Sequence, residues 1–153
     1  MPLESGADAP TVTAPTQDDE DVTLSFDEPT VVYFYPKDDT PGCTVEANQF
    51  QRELESYRDA GVDVYGVSVD DVDSHADFCE QEGLEFDLLA DSDGEIADAF
   101  DVNRLENSAV TARTTFVLAE GEVQAVYENV DPDGHARDVL FDALEDELVE
   151  LPE

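Results

Sequence analysis

Val31 to Tyr35 reads VVYFY, an unbroken run of β-branched and aromatic residues stopped by Pro36. A strand with one face in water alternates apolar and polar residues, so a run of this kind belongs inside a sheet covered on both faces. Helices must supply that cover. The next apolar stripe has helical spacing: Cys43, Ala47, Phe50, Leu54 and Tyr57 share one side of a helix, and Gly61 closes it. A second strand follows at Val62 to Val69.

Beyond it the alternation continues. A helix begins near Asp73, with Val72, Ala76 and Cys79 on one side and Gly83 at its end. Phe86 to Ala90 reads as a strand and Glu95 to Phe100 as a short helix. Arg113 to Ala119 and Glu122 to Tyr127 form a hairpin across Glu120 and Gly121. The last helix starts near Gly134 and carries Val139, Leu140, Ala143, Leu144 and Leu148. The first ~20 residues read as an irregular arm with one short strand around Thr11 to Ala14. Strand, helix, strand, helix, strand, strand, helix is an α/β order, giving a central mixed β-sheet flanked by helices in the thioredoxin-like arrangement. Residues 1–153 are expected to form one such domain. Sites in open α/β sheets lie beyond the carboxyl ends of strands, which directs attention to the loop after Tyr35.

Charge removes whole classes of function. The 153 residues include 41 Asp and Glu against 6 Lys and Arg, a formal net charge of -35, and Lys37 is the only lysine. Phosphate backbones and anionic membranes would be repelled, so neither nucleic acid nor membrane is an expected partner. The acids run from Glu4 to Glu153 among apolar residues and read as a solvated surface at about one net charge per ~220 Å². Such charges repel over ~30 Å at 0.01 M salt but only ~3 Å at 1 M. The expectation is a halophile's protein that needs molar salt to fold; the rival is a nucleic-acid mimic or divalent-cation buffer. No positively charged leader is present in the first 36 residues, and no apolar run reaches the ~20 residues of a membrane span, so the expected compartment is the cytoplasm. Two cysteines there suggest redox or metal chemistry more than a permanent staple.

Thr40 and Pro41 form a helix-start signature, with Thr40 as N-cap and Pro41 at the first helical position, which places Cys43 third. Negative charge on sulfur is favoured there by unsatisfied backbone N–H groups and the helix dipole. Pro41 has no N–H, leaving Gly42 and Cys43 as donors to a small oxygen-bearing ligand, and Gly42 presents no side chain to block it. Spacing alone equally allows Cys43 to be buried filler at the head of the stripe.

Pro36, Thr40 and Cys43 match the P-x-x-x-T-x-x-C signature of the peroxiredoxins. The stretch YFYPKDDTPGCTVEA resembles the bacterioferritin comigratory protein, or peroxiredoxin Q, branch. VDVYGVSVDDVDSHADFCEQEGLEFDLLADSDGEIADAFDV, RTTFVL and GHARDVLFDAL resemble the same branch in the same order, covering most of the chain after about Pro10. The resemblance implies a thiol-dependent peroxidase without a cofactor, acting on hydrogen peroxide and organic hydroperoxides through a Cys43 sulfenic acid. It implies that Pro36 shields the thiol, that the Thr40 hydroxyl and Arg113 hydrogen-bond thiolate and peroxide, and that the Gly42 and Cys43 amides hold the peroxide's other end. Glu46 matches an acidic family position that would orient the arginine, although a helix-face glutamate on so acidic a chain is ordinarily solvated.

Many relatives carry a second cysteine five residues after the first, where this chain has Asn48. Cys79 is then the intramolecular candidate for resolving the sulfenic acid, at a location other members of the branch use; an external thiol is the alternative. The resemblance further implies thioredoxin or a similar dithiol as reductant and a monomer, at most a weak dimer. A thiol-disulfide oxidoreductase and a non-catalytic thioredoxin-fold interaction protein are the competing readings, and the missing CxxC disfavours the first. His75 and Cys79 have metal-compatible spacing without further ligands in a recognisable pattern, so no metal is expected. Asp91 to Glu95 (DSDGE) departs from an EF-hand loop and reads as a turn. Asp73, Ser74 and His75 are sequence neighbours that point apart and make no triad.

Overall fold

The computed structural model describes residues 3–38, 40–102, 112–128, 130–131 and 133–145. The VVYFY run supplies β3 of the chain, Thr30–Phe34, following a short outer ribbon of β1 (Val12–Pro15) and β2 (Asp21–Leu24). All five β3 residues are buried. The remaining elements are α1 (Pro41–Asp59), β4 (Asp63–Ser68), α2 (Val72–Glu82), β5 (Asp87–Ala90), α3 (Glu95–Ala99), β6 (Thr114–Ala119), β7 (Glu122–Tyr127) and α4 (His135–Glu145). Leu148, placed on the last helix by its spacing, lies outside the described residues. Among those residues no helix is long and apolar enough to cross a membrane.

The five-stranded sheet has the order β5-β4-β3-β6-β7, with β3 at its centre. β3 is parallel to β4 and β4 to β5, whereas β6 runs antiparallel to β3 and β7 antiparallel to β6. This is the expected mixed, thioredoxin-like sheet. The strand pleat sends alternate β3 side chains to two cores. Val31, Tyr33 and Tyr35 join Cys43, Phe50, Tyr57, Phe78, Cys79 and Val139 on one face. Val32 and Phe34 join Val12, Ala14, Phe100 and Phe116 on the other. Both cysteines therefore belong to the same core.

Local signals set the helix ends. Asp71 accepts the Ser74 N–H at 2.8 Å, and Gly83 ends α2 at φ 66°. The DSDGE segment is a capping turn: the Asp91 carboxylate accepts the N–H groups of Ile96 and Ala97, each at 2.9 Å. β2 has no strong sequence signal, because its residues alternate only between exposed and half-buried and contribute little to either core.

Candidate active site

The site assembles at the carboxyl end of β3. Pro36 follows the strand, and after the loop Cys43 stands third in α1 behind N-cap Thr40. No side chain caps this helix. The first helical donor is Thr44, whose N–H bonds the Thr40 carbonyl at 2.8 Å, leaving the Gly42 and Cys43 N–H groups without intrahelical acceptors. The Thr40 hydroxyl donates to the Lys37 carbonyl at 2.9 Å. That hydrogen is committed to the loop, and an interaction with sulfur requires the hydroxyl to turn.

Arg113 arrives from the far end of the sequence. β6 pairs with β3 so that Thr114 faces Phe34, which brings the residue before Thr114 beside the loop after Phe34. Nη2 of Arg113 lies 3.6 Å from Cys43 Sγ, and Nη1 donates to Glu46 Oε1 at 2.8 Å. One guanidinium thus bridges two residues that share a face of α1. Cys43 is 2% exposed and Glu46 0%, while Thr40, Gly42 and Arg113 keep part of their surface in water.

The electrostatics follow from burial. Desolvation pushes the Glu46 carboxyl up from 4.5 to about 7, and the attraction and hydrogen bond of Arg113 only partly offset it. Glu46 Oε2 has no hydrogen-bond partner among the described residues, so nothing but Arg113 on the other oxygen offsets the burial. For Arg113, burial works against the charge, but Glu46 and Cys43 outweigh it and the guanidinium is held more firmly protonated than usual. The Tyr33 hydroxyl is likewise buried without a partner among the described residues. Burial raises its pKa well above 10, with Glu46, Cys43 and Cys79 adding to the shift, so the phenol stays neutral.

Cys79 is the eighth residue of α2, and both thiols are free. Burial, followed by the charges of Asp38, Asp87 and Asp18, pushes the Cys79 thiol up to about 12. It remains a thiol in this conformation. Asn48, where relatives have a cysteine, is exposed on α1 and donates to Glu82 at 2.9 Å.

A second polar cluster lies beside the site and has no local sequence signature. The buried Asp38 carboxylate receives Tyr35 Oη at 2.6 Å, Ser74 Oγ at 2.8 Å and His75 Nδ1 at 2.7 Å. Its backbone N–H donates to Asp70 at 2.7 Å. Ser74 and His75 meet an aspartate, but it is Asp38 from the preceding loop and not their neighbour Asp73. Asp38, Asp70 and His75 converge closely enough to suit a cation. In this structure Nδ1 of His75 lies against Asp38 and Nε2 against the Leu89 carbonyl at 3.0 Å, so both ring nitrogens already have protein partners.

Comparison with known proteins identifies relatives of this fold. The AhpC/TSA family model matches residues 5–126. Peroxiredoxin Bcp of Xanthomonas campestris is 42% identical over 116 residues, 72% of each chain. The peroxiredoxin Q structure from X. campestris superposes with a TM-score of 0.85 at 34% identity, covering 94% of this chain and 98% of that one. The crystal structure of peroxidoxin BcpB from Mycobacterium tuberculosis gives 0.84 at 31% identity, over 91% and 95%. A thioredoxin-like sheet with a thiol in the first helical turn beneath an arginine defines a class of enzyme that reduces peroxides with cysteine. This chain belongs to the AhpC/TSA family, in its bacterioferritin comigratory protein and peroxiredoxin Q branch, and is a thiol-dependent peroxidase.

Proposed function

We propose that Cys43 is the peroxidatic residue and that Pro36, Thr40, Gly42 and Arg113 build its peroxide site, in a single-domain cytoplasmic monomer reduced by thioredoxin or a similar dithiol. The observation that carries this reading is the 3.6 Å approach of Arg113 Nη2 to Cys43 Sγ. The guanidinium stabilises the thiolate and then the charge moving onto the departing oxygen. A peroxide enters past Gly42, with one oxygen toward sulfur and the other held by the Gly42 and Cys43 amides. The thiolate attacks the near oxygen, the O–O bond breaks, and the far oxygen leaves as water or alcohol after taking a proton. Cys43 becomes a sulfenic acid.

Cys79 resolves that acid in this scheme. Its sulfur attacks Cys43, the S–O bond breaks, water leaves and a disulfide forms. X. campestris peroxiredoxin Q has solved single Cys-to-Ser variants at positions 36 apart, the separation of Cys43 and Cys79. The bacterioferritin comigratory protein of X. campestris has been described in trapped intermediate and ligand complexes of alkyl peroxide reduction, which favours organic hydroperoxides alongside hydrogen peroxide. Burial keeps the Cys79 thiol from ionising readily, so in this scheme the first turn of α1 and the Cys79 segment unwind before the bond forms.

Peroxide consumption with added dithiol in molar salt tests the assignment. Cys43→Ser should abolish it, and one equivalent of peroxide should give a parent monomer lighter by two hydrogens. An active Cys43→Ser enzyme would remove Cys43. Undiminished turnover of Cys79→Ser would remove Cys79 and assign resolution to an external thiol.

A further inference from the structure

Asp38 and His75 connect the two segments that unwind in the scheme above before Cys43 and Cys79 join. Asp38 lies in the loop just before α1, two residues ahead of N-cap Thr40. His75 is one helical turn before Cys79, so the i to i+4 backbone bond of α2 runs from the Cys79 N–H to the His75 carbonyl. Tyr35 anchors the same carboxylate to the end of β3, Ser74 adds the first turn of α2, and Leu89 ties the imidazole to β5. Asp70, which receives the Asp38 N–H, is itself held by Ser68 Oγ at 2.7 Å.

The pair is also dry. Tyr35 Oη, Ser74 Oγ and His75 Nδ1 all converge on the Asp38 carboxyl group, and the Leu89 carbonyl accepts from His75 Nε2. The His75 and Asp38 side chains are 0% and 3% exposed. A pair so dry holds firmly while both members stay in place and loses its support when either segment unwinds.

We infer that Asp38 and His75 are positioning residues for the resolving step: their buried pair latches the loop before Cys43 to the helix turn before Cys79 and sets how readily the disulfide forms. This rests on Cys79 as the resolving residue. The latch exists in the closed dithiol form and is broken in the disulfide form. It opposes disulfide formation, so weakening it stabilises the disulfide relative to the dithiol. The attack of Cys43 on peroxide is left alone, because neither residue is hydrogen-bonded to Cys43 or Arg113.

The test is equilibration of the full chain with a dithiol redox buffer in molar salt, comparing the parent with His75→Gln and Ser74→Ala. Ser74→Ala removes one hydrogen bond from Asp38 and provides the answer should His75→Gln fail to fold. The expected result is a shift toward the disulfide of at least about tenfold for His75→Gln, a potential about 30 mV more negative, and a shift in the same direction of about twofold to threefold for Ser74→Ala. Stopped-flow oxidation of Cys43 by peroxide should stay within about twofold of the parent, while disulfide closure accelerates. An unchanged potential in the variants that fold, with equal loss of thermal stability in both redox forms, would make the pair merely structural and overturn the latch alone. A parent that forms no Cys43 to Cys79 disulfide would overturn the resolving assignment and the latch with it.

Discussion

The guanidinium of Arg113 is anchored by a carboxylate with no exposed surface: Nη1 donates to Glu46 Oε1 at 2.8 Å, leaving Nη2 to face Cys43 Sγ. Glu46 decides where the positive charge sits, and the charge faces the site of the chemistry. Buried ion pairs contribute little net stability, since desolvation consumes most of their attraction. Orientation is the better account of this one.

Replacing Arg113 should therefore show in the chemical step. Arg113→Met is expected to slow the reaction of Cys43 with peroxide by about 100- to 1,000-fold, the usual effect of losing a preorganised donor to developing charge. Single-turnover oxidation followed by competition with a peroxide-sensitive dye measures it. Adding Glu46→Gln relieves the carboxylate left unpaired and should restore stability without restoring rate. A rate close to that of the parent would remove the arginine from the mechanism.

The raised Glu46 pKa makes stability depend on pH in a definite direction. Between pH 4.5 and about 7 the folded chain keeps a proton on Glu46 that the unfolded chain releases, so stability falls as pH rises through this window. His135 acts oppositely: burial lowers it from 6.5 to about 4, so its contribution is lost as pH falls from 6.5 toward 4. The two partly cancel in the parent. Denaturation of the parent and Glu46→Gln, compared at pH 4.5 and pH 8, isolates the first: the variant should gain about 3 kcal/mol relative to the parent over that range. A pH-independent difference would show that Glu46 is not the group titrating.

Salt should act on the thiol as well as on the fold. The chain carries 41 acidic side chains against 6 basic ones, and their summed field opposes negative charge on Cys43 while the helix terminus and Arg113 favour it at short range. The rate constant of Cys43 with peroxide should rise severalfold as salt increases to molar concentration, with the circular dichroism of the folded chain unchanged over the range compared. Unfolding should follow at still lower salt. A rate and a stability both indifferent to ionic strength would contradict the halophilic reading.

Packing beneath the site yields a stability prediction. Gly66 is the β4 partner of Tyr33, and a Cβ there would stand 2.7 Å from Leu88 Cδ2 and 2.9 Å from Tyr33 Cζ. Tyr33 cannot retreat, because its ring stacks on Phe50 with centroids 4.5 Å apart. Gly66→Ala should cost about 1–3 kcal/mol by denaturant titration in molar salt. A cost near zero would mean the core is looser than these contacts describe.

Much of the fold is legible in local pattern. The buried run of β3, the apolar stripe of α1, Gly83 closing α2 and the Glu120-Gly121 hairpin each rest on residues close in sequence, where periodicity and capping act directly. The position of Cys43 in the first turn of α1 is of the same kind, since Thr40 and Pro41 announce it. The burial of Glu46 is not: its helix position is plain, but an acidic residue on an acidic chain gives no sign of facing inward until Arg113 is placed opposite.

Sequence by itself settles most of the segments that become strands and helices, β2 excepted, and puts a thiol at a helix N-terminus, because those outcomes depend on neighbours within a few residues. Only the tertiary structure decides that β6 lies antiparallel against β3, bringing Arg113 to Cys43 across 70 positions, and that Asp38 meets His75 across 37. Strand order and register arise from how whole faces pack and exclude water, and no local periodicity encodes the pairing.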